Sequence, residues 1–332
     1  MDNQKLVYTP APHLKSDATV SQAMRDVIIA LIPICLVAIY FFQFYAVFTI
    51  AVCLAAAAIT ELIFRKVMNK KPSLHDYSAL LTGLLVALLY PATTAWWMPA
   101  LATFIAVGVA KELMGGLGWN RFNPALFGRV VMIIFAPWFV TIGVDFLPWT
   151  ISFGPVDTIT TATPLAMLQR GMEMPGLVEL FFAFPGGAMS EVSPFALLLG
   201  AAYLFYRGHI NWRVPVAILA SVFVLTLVVG QNPLYHLFTG GIFLGAFFMA
   251  TDWVTCPITD KGKWIFGIAI GVLIVVFRVG LAPTEGVAFA ILIMNAFVPV
   301  IDKATKRPSF SEPKPRRAVG VPGKDQATTA KS

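Results

Sequence analysis

The chain has 332 residues, 58% of them hydrophobic and only 12% charged. Its mean hydropathy is +0.77, and a water-soluble domain carries about twice as much charge, so the ordinary soluble classes are excluded. The net charge of +7 is no nucleic-acid footprint, because much of it sits in the tail after Ile301, between Lys303 and Lys331, as a cytoplasmic flank does.

Apolar blocks recur that are long enough to cross a bilayer as helices, which takes about 20 residues each. Their continuity excludes the alternating pattern of a barrel. The sequence therefore predicts an all-α, polytopic membrane protein of about ten transmembrane helices. The first apolar run starts near Val27, behind Arg25 and Asp26, and continues far past a signal-peptide core, so no cleavable signal is expected. Val27 to Thr60 is too long for one helix and reads as a tight pair turning near Gln43. A third span covers Ala79 to Tyr90 and is stopped by Pro91. The fourth runs from Trp96 to Val109 and the fifth from Pro124 to Ile142. A long loop follows to about Glu191. The second half has spans at Pro194–Tyr206, Val214–Val229, Leu234–Ala250, Trp264–Phe277 and Val287–Val300.

The expected organisation is an N-terminal cytoplasmic segment (1–26), a first five-helix half (27–142), an external loop (143–192), a second five-helix half (193–301) and a basic cytoplasmic tail (302–332). Cations fix the orientation. Arg65, Lys66, Lys70 and Lys71, then Lys111 and Arg121, Arg207 and Arg213, Lys261 and Lys263 all fall on connections of one side, which places both termini in the cytoplasm. The loop before Glu191 holds Asp145, Asp157, Glu173 and Glu179 against Arg170, and so faces outward. Arg278 and Glu285 fit this less cleanly and read as a short turn. Leu81-Thr82-Gly83 and Ala92-Thr93-Thr94-Ala95-Trp96 are echoed by Phe238-Thr239-Gly240 and Ala250-Thr251-Asp252-Trp253. Two halves of five spans have opposite orientation, so the echo predicts two inverted five-helix repeats, an arrangement that frames a site near the bilayer midplane.

Cys35, Cys53 and Cys256 lack metal-site spacing, and His13, His75, His209 and His236 are scattered. No metal site and no catalytic side chain is expected. The loop instead carries a hydroxyl-rich stretch, Thr160-Thr161-Ala162-Thr163-Pro164-Leu165, three residues after Asp157. Taken alone it reads as a turn, since the residue before proline is held extended and threonine hydroxyls bond nearby backbone.

This segment resembles the Asp-x-x-Ser/Thr-Gly-Ala-Thr site at which flavin mononucleotide (FMN) is esterified to threonine in two related membrane redox proteins. They are the D subunit of the Rnf ferredoxin:NAD oxidoreductase and the B subunit of the sodium-pumping NADH:quinone oxidoreductase. Thr163 takes the modified position, and Thr161 stands in place of the usual glycine. The resemblance extends along the hydrophobic chain. It covers Ala11-Pro12-His13 with Met24-Arg25-Asp26-Val27, Leu81-Thr82-Gly83, the run from Gly115-Gly116-Leu117-Gly118 through Asn120 to Asn123-Pro124-Ala125, Met249-Ala250-Thr251-Asp252 and Met294-Asn295. Trp253 stands where the family more often has proline.

The resemblance implies a multi-pass protein of the bacterial inner membrane, a subunit that carries electrons between ferredoxin and NAD while Na+ or H+ is moved. FMN is expected as a phosphoester on Thr163, with Asp157, Thr160 and Ala162 in the site, and a second, noncovalent flavin (riboflavin or FMN) is anticipated. The implied partners are the other Rnf subunits (A, B, C, E and G), a flavin transferase and membrane lipid. Asn120 and Asn123 offer donors and acceptors that suit a flavin; the bland alternative is an elbow between spans. Ionisable groups beside a span are costly enough to point to a task, which marks Asp252, and next Glu112, for ion coupling. Most such groups instead sit at helix ends and snorkel, and Lys111 and Glu112, being sequence neighbours, are expected to point apart. The short leader before the first span favours the Rnf protein over the quinone-linked one. A non-redox transporter or channel on the same fold, or a passive anchor, are the rival classes.

Overall fold

Gln43 breaks the first long apolar run. The computed structural model describes residues 19–71, 73–141, 164–169, 171–280 and 285–306, and opens with α1, Val20–Val67, in which Gln43 has φ 48° and ψ −125°, far from helical space. A capping box starts this helix: the Thr19 hydroxyl accepts from the Gln22 N–H and the Gln22 side chain accepts from the Thr19 N–H. The two arms return to one end of the bundle. Ala23 of the first arm lines the same cavity as Lys111, and Lys111 pairs with Glu61 of the second arm at 3.6 Å. The expected helical pair turning at Gln43 is what the chain forms.

Helix α2, Ser78–Leu89, ends just ahead of Pro91. Helix α3, Trp97–Phe104, runs directly into a π-helical stretch, Ile105–Leu113. Helix α4, Pro124–Thr141, begins on a proline, which loses nothing at a first helical position. Two short helices follow, α5 at Pro164–Gln169 and α6 at Leu177–Phe182. Then come α7, Pro194–Tyr206, and α8, Arg213–Val228.

The eighth span, expected to be continuous, is broken. Helix α9, Pro233–Phe238, stops at Gly240 and Gly241, which take φ values of 69° and 67°. The chain resumes as α10, Ile242–Leu244, and a second π-helical stretch, Gly245–Met249. Helices α11, Asp260–Gly280, and α12, Gly286–Thr305, complete the bundle. No strand occurs among the described residues.

Three of these helices, α1, α11 and α12, are long and apolar enough to cross a membrane, while α2, α7 and α8 are apolar but shorter. Small residues let the helices approach closely, as membrane interfaces require. At Gly200 of α7 a Cβ would overlap the Ala30 carbonyl of α1, and on α11 Gly267 and Gly271 leave no room for a side chain against Ala217 and Ser221 of α8. The chain is a multi-pass helical membrane protein. Asp157, Thr160, Ala162 and Thr163 lie outside the described residues, which resume at Pro164.

Candidate cofactor cavity

The glycine-rich connection between the first π-helical stretch and α4 turns through Gly115, Gly116 and Gly118, at φ 123°, 99° and 91°. Those values are open to glycine and strained for other residues. The turn brings Asn120 and Asn123 inward, at 5% and 3% exposure. Asn123 does three things. Its Oδ1 accepts from the N–H groups of Ala125 and Leu126 at 3.1 and 3.3 Å, capping α4. Its Nδ2 donates to the Met249 carbonyl at 3.3 Å, and its own N–H lies 3.0 Å from the side-chain amide of Asn295. The Asn-Pro motif is therefore both an elbow and the joint between the two halves of the chain.

Asn120, Asn123 and Asp252 line one cavity of ≈ 830 Å³, counted with its mouth. Ser78, Thr82, Lys111 and Thr251 add polar groups, and Leu81, Leu85, Phe247 and Phe248 add apolar walls. Asp252 sits in the turn after the second π-helical stretch. The Thr255 hydroxyl donates to its Oδ2 at 3.2 Å. Burial pushes its carboxyl above the usual value, partly offset by Thr255 and by the backbone at Val254 and Trp253.

Lys111 and Glu112 do not point apart. The Lys111 ammonium donates to the Ser78 hydroxyl at 2.6 Å and lies 3.6 Å from Glu61 and 3.8 Å from Glu112. Glu112 also pairs with Arg65, whose Nε is 3.0 Å from Oε2. Two features defeat the helical-wheel argument: the wider π-helical turn changes the angle between neighbours, and the lysine stem is long. Glu61, Lys111 and Glu112 are essentially excluded from solvent, so they are a buried ion-pair network rather than snorkelling ends. Glu112 does not line the cavity, whereas Lys111 does.

His209 and Trp253, at the cavity wall, belong to a cluster that the sequence left unassigned. Asp26, 2% exposed, accepts from Arg207 Nε at 2.9 Å and from the Tyr203 hydroxyl at 3.3 Å. His209 Nε2 lies 2.7 Å from the same carboxylate. The Trp253 indole N–H donates to the His209 carbonyl at 2.7 Å, and the two rings pack 5.7 Å apart. His209 and Trp253 line this cavity and a neighbouring one of ≈ 850 Å³ reaching Asn211, Cys256 and Lys263. Asp26 was visible only as part of a motif; its partners lie some 180 positions away, and no local pattern shows them.

A further cavity, ≈ 580 Å³, backs onto the first across α4 and the second π-helical stretch. Ala125, Phe247 and Phe248 face the first cavity, and Leu126, Arg129, Gly245 and Met249 face the other. Arg129 pairs with Glu285 and stands 4.2 Å from the centroid of the Tyr90 ring. Arg278 is no turn cation. It is 3% exposed and donates to the carbonyls of His236, Thr239 and Gly240 at 2.5, 2.8 and 3.2 Å, satisfying the broken end of α9. Leu165 of α5, the second residue after Thr163, is buried close to Gly240. Among the described residues no group of histidine, cysteine and carboxylate side chains could hold a metal ion.

Comparison with known proteins agrees with the motifs. The model of the NQR2, RnfD, RnfE family matches residues 7–311. The D subunit of the Na(+)-translocating ferredoxin:NAD(+) oxidoreductase complex of Acetobacterium woodii is 37% identical over 92% of this chain and 95% of its own length. The D subunit of the proton-translocating ferredoxin:NAD(+) oxidoreductase complex of Clostridium ljungdahlii is 38% identical over 90% of this chain and 94% of its own. The D subunit of the ion-translocating oxidoreductase complex of Aliivibrio salmonicida is 33% identical over 92% and 98%.

Proposed function

Since the chain belongs to the NQR2, RnfD, RnfE family, we propose that it is the membrane electron-carrying subunit of an Rnf-type complex, bearing FMN on Thr163 and a second, noncovalent flavin in the cavity around Asn120 and Asn123. The observation that carries the reading is that cavity. Beyond the bonds to Phe122, Met249 and the start of α4, Asn120 keeps its side-chain oxygen and Asn123 one N–H for a flavin's uracil-like edge, and the remaining walls are largely apolar, as the ring system requires. A flavin supplies one-electron chemistry that no side chain in this bundle offers. Asn120 and Asn123 would hold the polar edge, Thr82 and Thr251 lie in reach of a hydroxylated chain, and Phe247 and Phe248 exclude water.

Thr163 needs only an accessible hydroxyl for the ester, which a flavin transferase would install. The covalent site rests on the match from Asp157 to Thr163 and on its place directly ahead of α5, which packs against the broken helix. The broken segment between α9 and α10 is of the kind used in inverted-repeat transporters, which supports two inverted five-helix halves and about ten spans. Both termini would be cytoplasmic and the Thr163 loop external, and the A, B, C, E and G subunits would complete the complex.

Coupling to Na+ or H+ is assigned first to Asp252, which lines the cavity. Glu112 becomes the weaker candidate, because its carboxylate is held by Arg65 and Lys111. The Acetobacterium relative is named for sodium and the Clostridium relative for protons, so the ion stays open. The quinone-linked B subunit is the alternative that shares these motifs.

Mass spectrometry of the peptide containing Thr163 tests the assignment, together with in-gel flavin fluorescence of Thr163→Ala. The variant is expected to fold and to lose covalent fluorescence while retaining extractable flavin. Covalent fluorescence that persists in it would overturn the Thr163 site. Absence of any flavin from the purified complex would favour the transporter reading.

A further inference from the structure

Glu191 ends the turn Met189–Glu191 that leads into α7. Its Oε2 is shielded from solvent and meets no hydrogen-bond donor among the described residues. The side chain lines the ≈ 580 Å³ cavity shared with Arg129, Glu285, Gly240 and Gly241. A buried carboxylate oxygen without a donor is costly, and the cations nearby are engaged elsewhere. Arg129 is taken by Glu285 and the Tyr90 ring, and Arg278 gives its terminal nitrogens to the carbonyls of α9 and Gly240.

The surroundings can be enumerated by element. Glu285 stands at the start of α12, Arg278 on α11 and Arg129 on α4, and all three act on Glu191 electrostatically. His236 lies on α9, and Tyr90 follows α2. Helix α1, which also packs against the turn, carries Tyr45 and Cys53 in that stretch, and the ionisable Tyr203 and Tyr206 of α7 lie at its far end. Burial, then the Glu285 charge, raise the Glu191 carboxyl to about 7 against the pull of both arginines.

We propose that Glu191 is a proton-binding site facing this cavity, which takes up a proton from water when an electron enters the adjoining bundle and releases it when the electron leaves. The reaction at Glu191 is protonation alone: carboxylate and one proton give the neutral acid, and no bond to carbon changes. The electron comes from a reduced one-electron iron–sulfur donor, would be held meanwhile by the flavin proposed above, which is reduced as the donor is oxidised, and leaves to the next carrier as the proton leaves Glu191, so charge balances in both directions. An added negative charge in a low-dielectric interior stabilises the neutral acid over the carboxylate, and a proton needs no coordination shell. Arg129 at the cavity and Arg278 close to Glu191 disfavour a metal cation there. The redox link rests on the electron-transfer reading above; the proton site does not.

Infrared spectroscopy reads the two separately. In the oxidised wild-type complex, lowering the pH through about 7 is expected to raise a deuterium-sensitive band of a protonated carboxyl. The band should be missing in Glu191→Gln, shifted in Glu191→Asp and retained in Glu285→Gln. A band that survives in folded Glu191→Gln, that is absent from wild type, or that is suppressed by sodium chloride but not by choline chloride overturns the site. Electrochemical reduction at pH 8 should then produce the same band in wild type only, with covalent fluorescence equal in both proteins. No band on reduction, with the titration intact, overturns the redox link. Loss of flavin from wild type would sink the electron-transfer reading and leave the titration standing.

Discussion

Asp26 and His209 meet at 2.7 Å although 183 positions separate them. The contact ties the start of α1 to the residues just beyond α7, and the same carboxylate also holds Arg207 and Tyr203. One buried acid thus fixes the wall of the candidate flavin cavity. Removing it leaves Arg207 and His209 without their shared partner, with the Arg207 end screened by solvent. Asp26→Ala should lower the melting temperature in detergent. An unchanged melting temperature would show the cluster to be ornamental.

Asn123→Ala removes the cap of α4 and the tie to Met249 together. The cap alone is worth about 1 kcal/mol, so the bundle should survive. The noncovalent flavin should fall below half of its wild-type content while covalent fluorescence is unaffected. Equal loss of both flavins would mean that the fold, rather than the cavity, had failed.

For Asp252 the sign of the pH effect can be worked out. Its folded carboxyl lies above the usual 3.8, so ionisation opposes folding. The stability present below the unfolded value is lost as pH rises toward the folded one. Asp252→Asn should therefore be no less stable than wild type near pH 4, and its advantage should grow toward pH 7. In coupled vesicles the same variant should lose most ion uptake at retained flavin content. Undiminished uptake would make Asp252 structural.

Trp253 donates its indole N–H to the His209 carbonyl. Its hydrogen bond to His209 is worth about 1–1.5 kcal/mol, and it stands between two cavities. Trp253→Ala should speed the release of noncovalent flavin on dilution about tenfold, equivalent to 1.4 kcal/mol. An unaltered release rate would show that the indole does not close the cavity.

Much of the fold was legible because hydrophobic runs and prolines are local signals. The ends of α2, α4, α7, α11 and α12 follow Pro91, Pro124, Pro194 and the lengths of the apolar runs, and Gln43 is the one polar interruption where α1 turns. The break in the eighth span was missed, because Gly240-Gly241 within an apolar run looks no different from a tolerated glycine pair until Arg278 is seen to satisfy the freed carbonyls. Of the candidate site, the sequence singled out Asn120 and Asn123 for flavin contact and Asp252 for ion coupling, and the structure adds that all three line one cavity; that convergence was not legible. The Lys111–Glu61–Glu112 network was not either, since a helical wheel assumes a regular turn and the chain uses a π-helical one. Thr163 and its neighbours Asp157, Thr160 and Ala162 remain a matter of resemblance.

The partition formed by α4 and the second π-helical stretch is a single layer of backbone with a cavity on each face. Anything that moves Phe247 or Phe248 on one face moves Gly245 and Met249 on the other, because they belong to the same turn. Occupancy of the Asn120–Asn123 cavity and the proton proposed for the Glu191 cavity would be linked wherever either one shifts that turn. By thermodynamic reciprocity, whatever factor one imposes on the other is returned in full. A ligand in the first chamber would then register as a displaced titration in the second, and the shared wall would transmit as well as divide.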